Sequence, residues 1–438
     1  MNPGTATAAI PEKRAVKNKR WLNRNVFSFG LTSLLSDFCH EMATAILPQF
    51  MQAIGASAAS LGFIEGVADA VSSFVKLGAG YHSDKIGHRK RWTVFGYALT
   101  AVSKAVFAFA FAWPLILLGR VVGWLGRGIR SPLRDALLAE SVSPGDRGKA
   151  FGFHRAGDTA GAVLGPLVAF GLLSLMAHRP ELVKHLGNWF PRLTDAPGAP
   201  FRMIFLFTLV PGVLSVLSIL TVTETRRAPN HGLRFSTVLR AMPKEYRSFL
   251  IAVGLFGMAD FAPTLMILRA TTALEPQIGV LDASRLATLL YLLRNVVYSL
   301  ASYPIGAMSD KFSRTRYLAV GYGVAVVTFL GFAFAIPSVW WFILFFSLAG
   351  VFIAWEDTIE GVAVRDYVDE TIAGTGYGIL STVNGIGDFF SSLIVGQLWT
   401  VVGPVWAFAY AVVVGFAGLI LMARIRKPNG QTGTEPRP

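Results

Sequence analysis

The chain has 438 residues, of which 53% are hydrophobic and 15% charged, with 44 glycines and a formal net charge of +14. Soluble domains carry about 25% charged residues. That composition excludes an ordinary cytosolic enzyme and a disordered chain, and a single cysteine, Cys39, excludes an intramolecular disulfide framework. The basic residues stand in short clusters between apolar runs, the pattern of an integral membrane protein with Lys/Arg-rich cytoplasmic loops rather than of a nucleic-acid binder.

From the start of the chain, Met1 to Arg24 is polar and basic, without the apolar core of a cleavable leader, and reads as a cytoplasmic tail. A crossing helix takes roughly 20 mostly apolar residues. Runs of that kind predict spans at 26–50, 58–80, 92–112, 114–136, 150–176 and 202–223. After a polar connector come 248–271, 285–307, 317–336, 338–362, 374–399 and 403–424. The expected fold is therefore an all-α membrane protein of twelve transmembrane helices in two six-helix bundles. Residues 1–25 would form a tail, 26–223 the first bundle, 224–247 a cytoplasmic linker, 248–424 the second bundle and 425–438 a second tail. Lys85, Arg89, Lys90 and Arg91 follow span 2, Arg314 and Arg316 follow span 8, and the short loops on the other side lack Lys and Arg. Both termini are thus expected in the cytoplasm.

The halves repeat in register. Asp37-Phe38 matches Asp260-Phe261, Gly96-Tyr97 matches Gly321-Tyr322, and Gly157-Asp158 matches Gly387-Asp388. Gly80-Tyr-His-Ser-Asp84-Lys85 after span 2 matches Gly306-Ala-Met-Ser-Asp310-Lys311 after span 8. Six helices repeated as six with the same starting side imply a pseudo-twofold axis along the membrane normal and a cavity between the halves. The longer stretch Gly80-Tyr-His-Ser-Asp84-Lys-Ile-Gly87-His-Arg89-Lys90-Arg91 resembles the signature loop of the major facilitator superfamily. Asp310 lies in its degenerate second copy, where Ser313 replaces the counterpart of Gly87, and Pro144 to Gly152 resembles the family's loop between spans 4 and 5. The resemblance implies a secondary transporter in which Asp84, Asp310 and the following basic residues form a gate. Arg89 or Arg91 would then pair with Asp135 or Glu140.

Charged residues inside the bilayer are costly and mark transport pathways by default. Asp37, His40 and Glu41 lie in span 1, Asp69 in span 2, Arg120 and Arg127 in span 4, and His154 and Asp158 in span 5. The second half adds Asp260, Arg294, Glu356, Glu360 and Asp388. Asp37 and Glu41 are four apart and share a helical face. They would either carry a proton or be neutralised by Arg120 or Lys104 as structural glue, and sequence leaves both open. Glu356 and Glu360 repeat that spacing, as a second proton site or as partners for Arg294. Arg120 also resembles the arginine that the superfamily places in span 4 of many proton-coupled antiporters. Gly161-Ala-Val-Leu-Gly165-Pro166 resembles its antiporter motif, although Ala169-Phe170 stands where a glycine pair is usual.

The leading reading is a proton-coupled exporter of a small organic compound in a bacterial inner membrane. The expected partners are the lipid bilayer, the substrate and protons, with no nucleic acid, no cofactor and a monomeric state. A divalent-metal transporter using the oxygen and nitrogen atoms of Asp37, His40 and Glu41 is the sharper rival. A non-transporting assembly factor on the same fold is another. Nothing in the chain combines a nucleophile with a base, so an enzyme is not expected.

Overall fold

The computed structural model describes residues 21–86, 89–143, 146–179, 181, 191–224, 243–309, 312–368 and 373–425, apart from the side chains of 80–86, 147, 148, 365 and 373–375. The first half holds α1 (Arg24–Ala53), α2 (Ala58–Ile86), α3 (Lys90–Ala108), α4 (Trp113–Glu140) and α5 (Arg147–His178), then α6 (Pro191–Thr194), α7 (Ala199–Phe207) and α8 (Leu209–Leu220). The second half holds α9 (Lys244–Gly257), α10 (Pro263–Ile278), α11 (Val280–Ser309) and α12 (Arg314–Phe334). It ends with α13 (Val339–Tyr367), α14 (Ala373–Val402) and α15 (Pro404–Arg424). With α7–α8 counted as the sixth pass and α9–α10 as the seventh, the described residues make twelve passes. Seven of them are long and apolar enough to cross a membrane on composition alone. Of the other five, α9–α10 is broken into helices of 14 and 16 residues, each too short alone, while α1, α3, α4 and α11 carry charged residues that dilute their hydropathy.

Local chemistry sets the helix limits. Asn23 caps α1, its Oδ1 accepting from the Val26 N–H at 3.1 Å. Proline stands in the first turn of α4, α7, α10 and α15, where its missing N–H costs nothing. The seventh span does not run unbroken through 248–271 as the apolar pattern suggests. Pro263 pushes Ala262 to an extended ψ of 133°, and the chain unwinds from Met258 to Ala262 with Asp260 in the break. The sixth span is interrupted at Thr208, three residues before Pro211.

Two arginines that the sequence did not single out, Arg202 buried and Arg269 half-buried, close the C-terminal ends of α3 and α12. Arg202 donates from Nη1 to the Ala108 carbonyl at 2.7 Å and lies over the rings of Phe50 and Phe111. Arg269 donates to the carbonyls of Phe332 and Ala333 at 3.1 and 3.2 Å. Each places a cation on the last carbonyls of a helix, where the macrodipole favours it.

Glycines let backbones touch along the seams that matter for function. Inside the first half, a Cβ added at Gly165 would sit 2.6 Å from Met42 N on α1, and one at Gly161 would sit 2.8 Å from Phe38 N. Gly161 and Gly165 thus lie at the α1–α5 contact, as small residues four apart do in membranes. Between the halves, α2 lies against α14, where a Cβ at Gly66 would be 2.8 Å from the Phe389 carbonyl oxygen. The second seam joins α5 to α11, with Arg285 Nε donating to Ser174 Oγ at 2.9 Å and Asn295 Nδ2 donating to the Ala162 carbonyl at 3.2 Å.

The end that bears Arg89 and Arg314 is called the basic end here, and the opposite one the short-loop end. At the short-loop end the halves are clasped: Gln52 Nε2 donates to Glu275 Oε2 at 2.7 Å and Ala59 N to Thr400 Oγ1 at 2.9 Å. Toward the basic end one cross-half contact is itself exposed. Arg155 reaches across to the second half, yet 61% of its side chain is exposed.

Candidate functional site

On α4, Arg120, Trp124 and Arg127 fall at spacings of four and three and so share one stripe facing α1 and α2. Arg120, 2% exposed, grips Glu65 of α2 with both arms of its fork, Nη2 to Oε1 at 2.5 Å and Nε to Oε2 at 3.1 Å. Its remaining arm reaches Thr44 Oγ1 at 3.4 Å. Arg120 is therefore committed to Glu65, and it is Arg127 that stands 3.9 Å from Asp37. Glu65 is visible in the sequence as one of the charged residues of span 2, four before Asp69, but nothing in the sequence pairs it with Arg120.

Asp37 and Glu41 share a face of α1, but the structure gives them different partners. Asp37 is directed to Arg127, while Glu41 accepts a 2.7 Å hydrogen bond from Tyr291 of α11, in the other half. His40 packs edge-on against Trp124 with ring centroids 5.1 Å apart. The three side chains proposed as a metal set thus turn to three separate neighbours. Among the described residues no group of three or more His, Cys, Asp or Glu is arranged to hold a metal ion. On α5, Asp158 accepts from Ser33 and lies 3.8 Å from Arg155, while His154 is buried with Nε2 unpartnered.

The second half carries the acidic counterpart. The break in the seventh span brings Asp260 to a cavity of about 80 Å³ lined also by Asp69, Asp388 and Arg294, with Phe261 and Phe352 forming its apolar wall. Three carboxylates, from α2, α14 and the broken seventh span and so from both halves, thus line one space with a guanidinium, large enough to admit water. Arg294 donates to Asn295 and lies over the Tyr291 ring, so Glu356 and Glu360 are not its partners as anticipated. Glu360 instead accepts from Tyr322 OH at 2.6 Å and from Asn384 Nδ2 at 2.8 Å. Glu356 is buried with Oε2 unpartnered. A bridge that the sequence did not suggest spans the halves: Arg155 Nη2 donates to Tyr298 OH at 2.5 Å, and Tyr298 OH donates to Asp357 Oδ2 at 2.8 Å.

Of the signature loop, Gly87 and Asp310 lie outside the described residues, and Gly80 and Asp84 fall where only the backbone of α2 is described. Arg89 pairs with Glu140 at the end of α4, and its backbone N–H donates to Glu224 Oε1 at 2.5 Å. Asp135 pairs with the adjacent Arg134 at 2.9 Å rather than with the loop, and Arg91 is exposed. The other half repeats the contact, Arg314 at the start of α12 pairing with Asp366 near the end of α13. The offsets are 225 (314 − 89) and 226 (366 − 140), the register of the sequence repeat. Gly306 packs beside Thr358 of α13.

A family profile described as Major Facilitator Superfamily matches residues 29–284 and again 248–438. The chain belongs to the major facilitator superfamily. A relative from Methanocaldococcus jannaschii, described as an uncharacterized MFS-type transporter, is 31% identical over 410 residues, 93% of this chain and 96% of that protein. The quinolone resistance protein NorA of Staphylococcus aureus is 22% identical over 419 residues, 92% of this chain and 96% of that one. Among solved structures, a mutant of the nucleoside transporter NupG superposes with a TM-score of 0.72 at 15% identity, covering 91% of this chain and all of that one.

Membership of the superfamily makes this a multi-pass membrane transporter of a small-molecule substrate, and not an enzyme. It also frames one departure from symmetry. In the first half Arg130 lies 4.0 Å over the ring of Tyr97. At the matching positions of the second half stand Glu356 and Tyr322, and Arg134 is matched by Glu360. The tyrosine persists across this superfamily member's two copies while the sign of the charge beside it is reversed.

Proposed function

We propose that this chain is a secondary active transporter working by alternating access, which couples proton movement to the export of a small organic compound across a bacterial inner membrane. Residues 26–223 and 248–424 are the two moving bundles, 224–247 the linker, and both termini, 1–25 and 425–438, lie in the cytoplasm. The observation that carries this reading is the shared cavity of Asp69, Asp260, Asp388 and Arg294. Carboxyls this close do not all ionise together, so the group exchanges protons as a unit. Because the cluster draws on both halves, its proton count changes when the halves separate. Asp37 with Arg127 inside the first half, and Glu41 with Tyr291 between the halves, supply a second set of charged groups. The similarity to NorA, a quinolone resistance protein, supports export of an organic molecule. The basic end, which carries the Lys/Arg-rich connectors, faces the cytoplasm in this reading.

The test is a purified protein reconstituted in liposomes under an imposed pH gradient, with proton flux read by a pH-sensitive dye in the presence of candidate substrates. Asp260→Asn and Asp388→Asn, singly and together, abolish substrate-dependent proton flux. If both variants moved protons as the parent does, coupling through this cavity would be wrong. Asp37→Asn and Glu41→Gln, assayed in parallel, report whether the first-half set shares the task.

A further inference from the structure

On the membrane-facing side of the second half, α12, α13 and α15 leave a groove of about 570 Å³. Its floor and walls are apolar, formed by Val320, Gly323 and Val327 of α12 with Leu348 of α13 and Leu419 of α15. Val320 and Val327 are 54% and 51% exposed, so the groove opens outward to the bilayer and not to the transport pathway. At the basic end it is closed by one charged residue, Arg316. Arg316 is exposed, and among the described residues it has no acidic partner. Arg424, the last residue of α15, is exposed at the same end. From Arg316 to Val327 the stripe runs for eleven residues, about 16 Å along the helix at 1.5 Å per residue.

A groove that is apolar along its length and cationic at one end matches a molecule with an apolar tail and an anionic head. We propose that it is a binding site for one anionic phospholipid, with an acyl chain along Gly323 and the phosphate at Arg316. Two features set the site apart from ordinary lipid-facing surface. The first is the missing side chain at Gly323: a Cβ added there would meet nothing within 4 Å. The second is an arginine at the basic end whose charge no carboxylate among the described residues neutralises, leaving its Coulomb attraction for a lipid phosphate. The groove lies against α12 and α13, which hold the Arg314–Asp366 contact at the same end. An occupant would therefore brace the half of the transporter that supplies Asp260, Asp388 and Arg294 to the shared cavity.

The experiment is native mass spectrometry of the delipidated full chain with added phosphatidylglycerol or phosphatidylcholine of identical acyl chains, reading the singly lipidated species. The parent retains phosphatidylglycerol over phosphatidylcholine by about fivefold, the worth of one cation near a membrane surface. Arg316→Gln erases that preference and Arg316→Lys keeps it. Gly323→Leu, which fills the groove without a clash, lowers retention of both lipids. Arg247→Gln, an exposed arginine at the same end on α9, changes nothing. Melting temperatures confirm that each variant is folded, and if Arg316→Gln is not, the lysine and leucine variants decide. The proposal is overturned if the parent shows no headgroup preference, if Arg247→Gln abolishes it equally, or if Gly323→Leu leaves retention intact. It is equally overturned if the parent runs as a dimer that Gly323→Leu dissociates, since a second copy would then be the occupant.

Discussion

Removing one side of the Arg120–Glu65 pair leaves a full charge in a site almost without water, and the size of the effect follows from the geometry. The two contacts of 2.5 and 3.1 Å put the charge centres roughly 4 Å apart, worth about 4 kcal/mol at an effective dielectric constant near 20. Breaking a buried pair by deleting one partner costs about 3–5 kcal/mol in general, because the survivor remains uncompensated. Glu65→Leu or Arg120→Met alone should therefore lower the folded-to-unfolded ratio by roughly a thousandfold, taking 1.4 kcal/mol per factor of ten. The double variant Glu65→Leu/Arg120→Met, which removes both charges at similar volume, should recover most of that loss. Unfolding of the purified protein in mixed micelles with increasing dodecyl sulfate, followed by tryptophan fluorescence, measures all three. If both single variants are as stable as the parent and the double-variant cycle shows no coupling, the pair is not the anchor of α4 on α2. Arg120 would then be returned to the pathway for which its resemblance to antiporter arginines first suggested it.

Tyr298→Phe deletes the hydroxyl that joins Arg155 to Asp357, so spin labels on α5 and α13 near the basic end should move apart while pairs at the short-loop end hold their separation. Unchanged distances at both ends would mean that this bridge holds nothing. Gly66→Ala puts a methyl 2.8 Å from the Phe389 carbonyl oxygen and forces α2 and α14 apart, an overpacking cost of about 1–3 kcal/mol that the same unfolding titration reads. Arg202→Met strips the Ala108 and Pro197 carbonyls of their buried donor and should destabilise by about 1–3 kcal/mol. Its transport rate per folded molecule should stay that of the parent.

Most of the architecture was written in hydropathy. Twelve apolar stretches become twelve passes with ends displaced by a few residues, because burial in lipid demands helix wherever the chain crosses. The interruption of the seventh pass was also present in the sequence, as Pro263, but hydropathy averages over a proline that backbone geometry cannot ignore. The site was legible only as an inventory. Asp69, Asp260 and Asp388 stand far apart in the chain, and no periodicity says that α2, α14 and the broken seventh span converge. Spacing along α1 put Asp37 and Glu41 on one face, but it could not say where each carboxylate turns, which neighbours on two other helices decide. In sequence, Tyr291, Tyr298 and Tyr322 show only as aromatics or repeat markers, whereas three-dimensionally each hydroxyl serves a buried or bridging acid.

The exchange of Arg130 and Arg134 for Glu356 and Glu360 at equivalent places has an electrical consequence. At these positions one bundle carries two guanidinium groups where the other carries two carboxyl groups, so when those carboxyls are ionised the two stripes set up a field in the plane of the membrane, at right angles to the transmembrane voltage. A zwitterion drifting into the gap would be swivelled by that sideways field before touching either wall, and a twin made by joining two copies of the first bundle would lack the field altogether.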